Sequence, residues 1–256
     1  MTGSDTTFRL DGRTALVTGS TTGLGFAMAR GLARAGAAVA MNYANNVERA
    51  EAAFADLLAD GGRAGLYRAS VIDEVEVERL VQEVADTLGD IDILVINATA
   101  DQPHRAIEDY DWDFHQSMLD FFVRSPYLLT RAVLPSMKAK RKGRIINIGS
   151  EVVARGVGNF SPYVAAKGGQ NGWNRSMATE LAPWNITVNM ISPGWIPVAR
   201  HENDPQSEKD AYLAEIPMGR WGVPEDVAGC VTFLAGDSAS FITGQNIHIN
   251  GGTTVH

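Results

Sequence analysis

Near its amino terminus the chain passes from an apolar run, Thr14-Ala15-Leu16-Val17-Thr18, through Gly19-Ser20-Thr21-Thr22-Gly23-Leu24-Gly25 into an alanine-rich stretch over residues 26–35. The run has the length and composition of a buried strand, and the stretch after the glycines that of a helix. Glycines between two such elements permit a tight turn and a close backbone approach to a pyrophosphate, whose charge suits the free N–H groups at a helix start. The remainder continues to alternate between strand-like and helix-like segments, which predicts a parallel sheet with helices on both faces.

Strands are expected near residues 37–41, 63–69, 91–96, 144–148, 186–191 and 246–249, with helices near 47–59, 74–88, 111–137, up to Leu181, 207–216 and 224–235. Pro126 and Pro135 fall inside the helix over 111–137, so a kink or break is expected there. No internal repeat or linker interrupts the pattern, and residues 1–256 read as one domain with residues 1–9 as a flexible tail.

With 45% hydrophobic and 20% charged residues, the composition is that of a soluble globular protein. A net charge of −8 argues against a nucleic-acid partner. The basic cluster from Lys138 to Arg144 reads as a helix end, where cations suit the macrodipole. A lone cysteine, Cys230 in an apolar stretch, excludes an intrachain disulfide and reads as a core thiol. No apolar leader occupies the first residues and no run approaches the ~20 residues of a membrane span, so the expected address is the cytoplasm. The histidines are scattered without zinc-ligand spacing. Asp109, Asp111 and Asp113 read as acids at a helix start rather than metal ligands, and Trp173, Trp184 and Trp221 as packing residues.

A second motif bears on chemistry. Tyr163-Val164-Ala165-Ala166-Lys167 places a phenol and an ammonium four apart, on one face of a helix. A cation one turn away favours the phenolate, so the phenol is expected to titrate below its usual ~10 and to exchange protons with a substrate hydroxyl or carbonyl. Ser150, just past the apolar run 144–148, can hold the same substrate oxygen.

Together these motifs resemble the short-chain dehydrogenase/reductase family, and the similarity runs from Leu10 to Gly252. Thr18 to Gly25 matches the family's TGxxxGxG, Asp92-Ile93-Leu94-Val95-Ile96-Asn97-Ala98 is similar to its DxLVNNAG, and Ser150 lies thirteen residues before Tyr163 as the family's serine does. Ser192-Pro193-Gly194 and Ile242-Thr243-Gly244-Gln245 follow in the expected order. The resemblance implies a Rossmann-like doubly wound sheet of about seven strands, catalysis by Ser150, Tyr163 and Lys167, and a homo-oligomer, tetramer or dimer. Cofactor contacts are expected from Gly19, Thr22, Gly23, Leu24, Gly25, Tyr43, Ser70, Val71, Asn97, Ala98, Tyr163, Lys167, Pro193, Gly194 and Ile196.

Cofactor choice turns on the residue ending strand two. An acid there binds the ribose hydroxyls of NAD, and its absence, often with a basic neighbour, admits the 2′-phosphate of NADP. That position falls on Tyr43, so NADP(H) is expected over NAD(H), although neither Thr22 nor Ala44 supplies a cation. Ser70 stands where relatives carry an aspartate toward the adenine. Ile96, Thr99, Phe122 and Val198 also depart from the family pattern, and Phe122 replaces the asparagine that holds a proton-relay water. Substrate contacts are expected from residues 99–105, 151–160 and 195–218, the last either a lid or a solvated loop. The reading is an NAD(P)(H)-dependent oxidoreductase reducing a ketone, or oxidising the matching secondary alcohol, on a small polar or acyl-carrier-bound substrate. The alternative is a catalytically impaired nucleotide-binding regulatory or scaffold protein of the same fold.

Overall fold

A computed structural model describes residues 8–255. Seven strands, β1 (Thr14–Val17), β2 (Ala38–Tyr43), β3 (Ala64–Arg68), β4 (Ile91–Ile96), β5 (Gly143–Ile148), β6 (Ile186–Pro193) and β7 (Asn246–Ile249), pair in parallel in the order β3-β2-β1-β4-β5-β6-β7. The central strands are apolar almost throughout because both faces are covered. Alternate side chains serve opposite sides: Leu16, Leu94 and Ile145 enter one core, and Val17, Val95 and Ile146 the other.

The helices are α1 (Gly23–Arg34), α2 (Val47–Ala59), α3 (Glu74–Leu88), α4 (Trp112–Leu119), α5 (Ser125–Lys140), α6 (Val152–Arg155), α7 (Ser161–Leu181), α8 (Gln206–Glu215) and α9 (Pro224–Ala235). Leu32 of α1, Leu57 of α2 and Val231 of α9 pack on one face, and Val84 of α3, Val133 of α5 and Leu181 of α7 on the other. Asn46, Asp73 and Asp111 start α2, α3 and α4 by accepting from the N–H of Arg49, Glu76 and Phe114. Asp111 therefore acts as the helix-start acid expected of it.

The long helix expected over 111–137 is interrupted, and the irregular turn ends just before Pro126. A π-helical turn over Asp120–Arg124 joins α4 to α5, with the Ser125 N–H reaching back to the Asp120 carbonyl. Pro126 has no N–H to offer the carbonyl four residues earlier, so the regular α-helical ladder cannot run unbroken through this point. Pro135 lies inside α5 without ending it. Elsewhere the expected bounds either coincide with the observed ones, as for α2, α3, α9, β4 and β7, or shift by up to three residues, and α6 is an addition that no periodicity announces.

Of the expected tail only Phe8 and Arg9 fall among the described residues, and Arg9 Nη2 lies 2.6 Å from Asp11 Oδ1. In the basic cluster, Lys138 and Lys140 lie in the last turn of α5, as expected for a helix end. Arg144 is instead buried on β5, donating to the Gly143 carbonyl at 3.0 Å and facing Asp237 at 3.4 Å. No helix among the described residues is long and apolar enough to cross a membrane.

Leu94 is fully buried at the centre of the sheet. Leu94→Ala is expected to cost about 2–5 kcal/mol of stability, to be read from the urea midpoint with m unchanged.

Candidate active site

The chain runs outward from β1 to β2 and β3, then returns to place β4 on the other side of β1. Loops leaving β1 and β4 therefore diverge and open a crevice at the carboxyl ends of the strands. The glycine loop follows β1, and Asn97 and Ala98 follow β4. Thr18 Oγ1 accepts from the N–H groups of Asn97 at 2.9 Å and Ala98 at 3.1 Å, while Asn97 Nδ2 donates to the carbonyls of Thr18 and Gly19 at 2.9 and 3.1 Å. The Asn97 amide thus braces the loop. Gly19 has φ +61°, and a Cβ on Gly25 would stand 2.2 Å from the Gly19 carbonyl oxygen. Thr22, at the start of α1, makes no side-chain cap and the first turn holds no acid, which leaves the N–H groups there free for an anion.

Further along the same edge, the structure gathers Ser150, Tyr163 and Lys167. Ser150 follows β5 and accepts from the Val152 N–H at 3.4 Å. Tyr163 and Lys167 lie one turn apart on α7, and Lys167, although charged by nature, is 5% exposed. Its Nζ donates to the Ile148 carbonyl at 2.6 Å and to Gln170 Oε1 at 3.0 Å. The Phe122 ring lies 4.0 Å from that nitrogen and meets the Tyr163 ring edge-on at 5.2 Å. On its other side Tyr163 packs against Phe160, on which His104 stacks.

Burial governs both titrations. Lys167 is pulled down to about 7, first by desolvation and then by the cation of Arg200. The Tyr163 phenol is pushed up by desolvation, with the Ser150 hydroxyl and Arg200 acting in the opposite sense. This corrects the expectation that Lys167 depresses the phenol. The lysine points its hydrogens at Ile148 and Gln170, and a dry pocket penalises the phenolate more than the nearby charges favour it.

The segment 195–218 is tied down at a few points, although α8 holds no buried residue and most of the segment faces solvent. Tyr212 of α8 donates to buried Glu151 Oε1 at 2.6 Å, Trp195 N donates to the Tyr212 oxygen at 2.8 Å, and Arg155 pairs with Glu215. Glu151 also accepts from Asn250 at 3.0 Å and Arg155 at 3.1 Å. Trp221 stacks on Tyr212, and Trp184 lies beneath Lys138 and Arg141, consistent with packing roles. Pro193 ends β6, the Gly194 N–H bonds the Ile249 carbonyl at 3.0 Å, and Ile196 is buried. From there the chain folds back so that Val198 reaches within 3.5 Å of where a Cβ on Gly23 would stand.

A family model described as enoyl-(acyl carrier protein) reductase matches residues 19–254. The 3-oxoacyl-[acyl-carrier-protein] reductase FabG of Haemophilus influenzae is 42% identical over 246 residues, covering 95% of this chain and 98% of that protein. FabG of Staphylococcus aureus is 38% identical, over 94% and 97%. The chain belongs to the short-chain dehydrogenase/reductase family. Among solved structures, a dehydrogenase/reductase from Sinorhizobium meliloti superposes with a TM-score of 0.89 at 34% identity, covering 98% of each chain. A gluconate 5-dehydrogenase from Burkholderia cenocepacia, solved with NADP and tartrate, gives 0.90 at 31%, over 96% and 97%. The chain is accordingly an oxidoreductase of CH–OH and C=O groups that uses a nicotinamide cofactor. The uncapped start of α1 and the glycine loop fit the phosphates of such a cofactor.

Several features of this family member were not foreseen from its sequence. Gln170 and Arg200 bear on Lys167, and Glu151 and Tyr212 anchor the segment 195–218. At the adenine end, the N–H of Ser70 donates to Glu76 Oε2 at 2.8 Å, so α3 brings a carboxylate to a place where sequence matching found only a hydroxyl. Gln170 lies one turn from Lys167 on α7 and was open to the same spacing argument, whereas the Arg200 and Glu151–Tyr212 contacts join separate elements and carry no local signal.

Burial of Lys167 has a pH signature. Its folded pKa of about 7 lies below the 10.5 usual for a lysine, so the unfolded chain binds the proton first as pH falls. The resulting destabilisation is absent above pH 10.5, grows as pH drops to about 7 and is full below that. Lys167→Met is expected to raise stability by on the order of 2–4 kcal/mol at pH 6 and by much less at pH 10, as measured by denaturant melts across that range.

Proposed function

We propose that this reductase prefers NADP(H) and reduces a ketone on a small polar or acyl-carrier-bound substrate. Tyr163 is the proton donor, Ser150 holds the carbonyl oxygen, and Lys167 orients the cofactor ribose and resupplies the proton. The observation that carries this reading is the convergence of Ser150, Tyr163 and Lys167 in one desolvated corner beside the crevice. A phenol kept protonated by burial is in the correct state to act as a general acid toward a developing alkoxide. When bound, the nicotinamide supplies or accepts the hydride. Lys167, near 7, exchanges protons readily at neutral pH, which suits it to recharge the phenol. Phe160, Phe122 and partly buried Val152 and Val157 form an apolar wall that excludes water from the reacting carbonyl.

Support for NADP(H) comes from the absence of a carboxylate at Tyr43. The other cofactor contacts proposed are those of Gly19, Thr22, Gly23, Leu24, Gly25, Ser70, Val71, Asn97, Ala98, Pro193, Gly194 and Ile196. We propose a homo-oligomer, tetramer or dimer, because β7 has no strand on its outer side and Phe241 is fully exposed nearby. A free, half-buried Cys230, its thiol raised to about 11 by burial, is in keeping with a cytoplasmic address.

Tyr163→Phe is expected to lower kcat for ketone reduction by about 10²–10⁴-fold while cofactor affinity, followed by nicotinamide fluorescence, changes little. Unchanged turnover in that variant would remove the mechanism. With the phenol pKa raised and its proton resupplied by Lys167 near 7, reduction should be highest at and below neutral pH and decline as pH rises past about 7, while alcohol oxidation, which needs the phenolate, should rise with pH; initial rates in both directions check this. Phe122→Asn should raise kcat if proton resupply limits turnover, with a solvent isotope effect that shrinks in parallel.

A further inference from the structure

At the end of β2 the sequence Tyr43-Ala44-Asn45-Asn46 offers neither an acid nor a cation. The sheet supplies one from elsewhere. The register of β2 against β3 sets Tyr43 opposite Arg68, and the Arg68 side chain bends toward the loop after β2 to donate from Nε to the Ala44 carbonyl at 3.0 Å. This single bond fixes the guanidinium at the outer end of the crevice. Its two terminal nitrogens have no carboxylate partner among the described residues, and the side chain is exposed. The acids nearby are engaged elsewhere. Glu76 accepts from the Ser70 N–H at 2.8 Å and lies 3.8 Å from Arg79, while Glu74 pairs with Arg131 at 2.7 Å. Arg79, itself placed between Glu76 at 3.8 Å and Glu83 at 3.7 Å, donates to the Arg68 carbonyl at 3.2 Å.

We infer that Arg68 is the residue that recognises the 2′-phosphate of NADP(H), its terminal N–H groups supplying the cationic donors that neither the β2 loop nor the glycine loop contains. This rests on the proposed NADP(H) preference and names its physical source. A guanidinium anchored through Nε keeps its planar fork presented outward, which suits a phosphate monoester better than a flexible ammonium would. Tyr43, paired with Arg68 across the sheet, flanks the same position and carries no charge to repel the group.

The test is direct binding, read by fluorescence titration of NADPH and NADH, with 2′-AMP and 5′-AMP as competing fragments. For Arg68→Gln, the Kd for NADPH and the Ki for 2′-AMP are expected to rise about 10-fold or more, whereas NADH and 5′-AMP move less than about twofold. Arg68→Lys should recover part of the loss, and the wild-type advantage of NADPH should shrink with added salt, as an exposed charge pair requires. A wild type that binds NADPH tightly and keeps that preference in Arg68→Gln overturns the assignment. So does a variant that weakens both dinucleotides equally, since that is the mark of a residue that only braces the Ala44 loop. A wild type that takes NADH as tightly as NADPH instead defeats the cofactor preference itself.

Discussion

The lock between Thr18 and Asn97 is the contact on which the site depends. Where the strand order reverses, β1 and β4 hand their chains to loops that diverge, and the backbone groups just past them, the N–H of Asn97 and Ala98 and the carbonyls of Thr18 and Gly19, leave the ladder. Thr18 and Asn97 fill the gap with side-chain and backbone bonds between 2.9 and 3.1 Å. A loop held this way stays in place without a ligand, so the N–H groups starting α1 face the crevice already ordered. Preorganisation of this kind removes an entropic cost from anion binding. The small residues follow from the same lock: any side chain on Gly25 would displace the Gly19 carbonyl or the Asn97 amide.

The second organising effect is desolvation, and it opposes stability. Lys167 sits in a shell of Phe122, Tyr163, Ile148 and Gln170 that water does not enter. A methionine of similar length would fill that space without an ionisation penalty. The fold tolerates the penalty because Ile145, Ile146, Val188 and their neighbours bury a large apolar core beneath it. Stability given up at a reactive centre is the usual relation between a site and its scaffold.

Much of this was legible in the sequence, and for identifiable reasons. Strands two-faced in their burial read as continuous apolar runs, glycines marked the turn after β1, and the four-residue spacing of Tyr163 and Lys167 guaranteed a shared helical face. What escaped was non-local. The anchoring of α8 depends on Tyr212 meeting Glu151 across 61 residues. The direction of the Tyr163 shift escaped for a related reason. Sequence spacing gives the distance to a cation but not the dryness of the surroundings, and here the surroundings win.

The replacement of an asparagine by Phe122 becomes intelligible from both sides of the lysine. On one side the ring face lies 4.0 Å from Nζ and favours the ammonium through its quadrupole. On the other, Gln170 offers Oε1 to the lysine while its Nε2 donates to Asn147 Oδ1 at 3.4 Å, and Asn147 Nδ2 donates to Asn174 Oδ1 at 3.0 Å. Donation runs in one direction along this row of amides, so each carbonyl oxygen is polarised toward the next and the acceptor end meets the cation. The ring and the row therefore act together against burial and Arg200, which favour the neutral amine. The balance leaves Lys167 near 7, where gaining and losing a proton are almost equally easy at neutral pH. Under the proposed mechanism, a lysine tuned in this way can recharge a buried phenol without an asparagine at position 122.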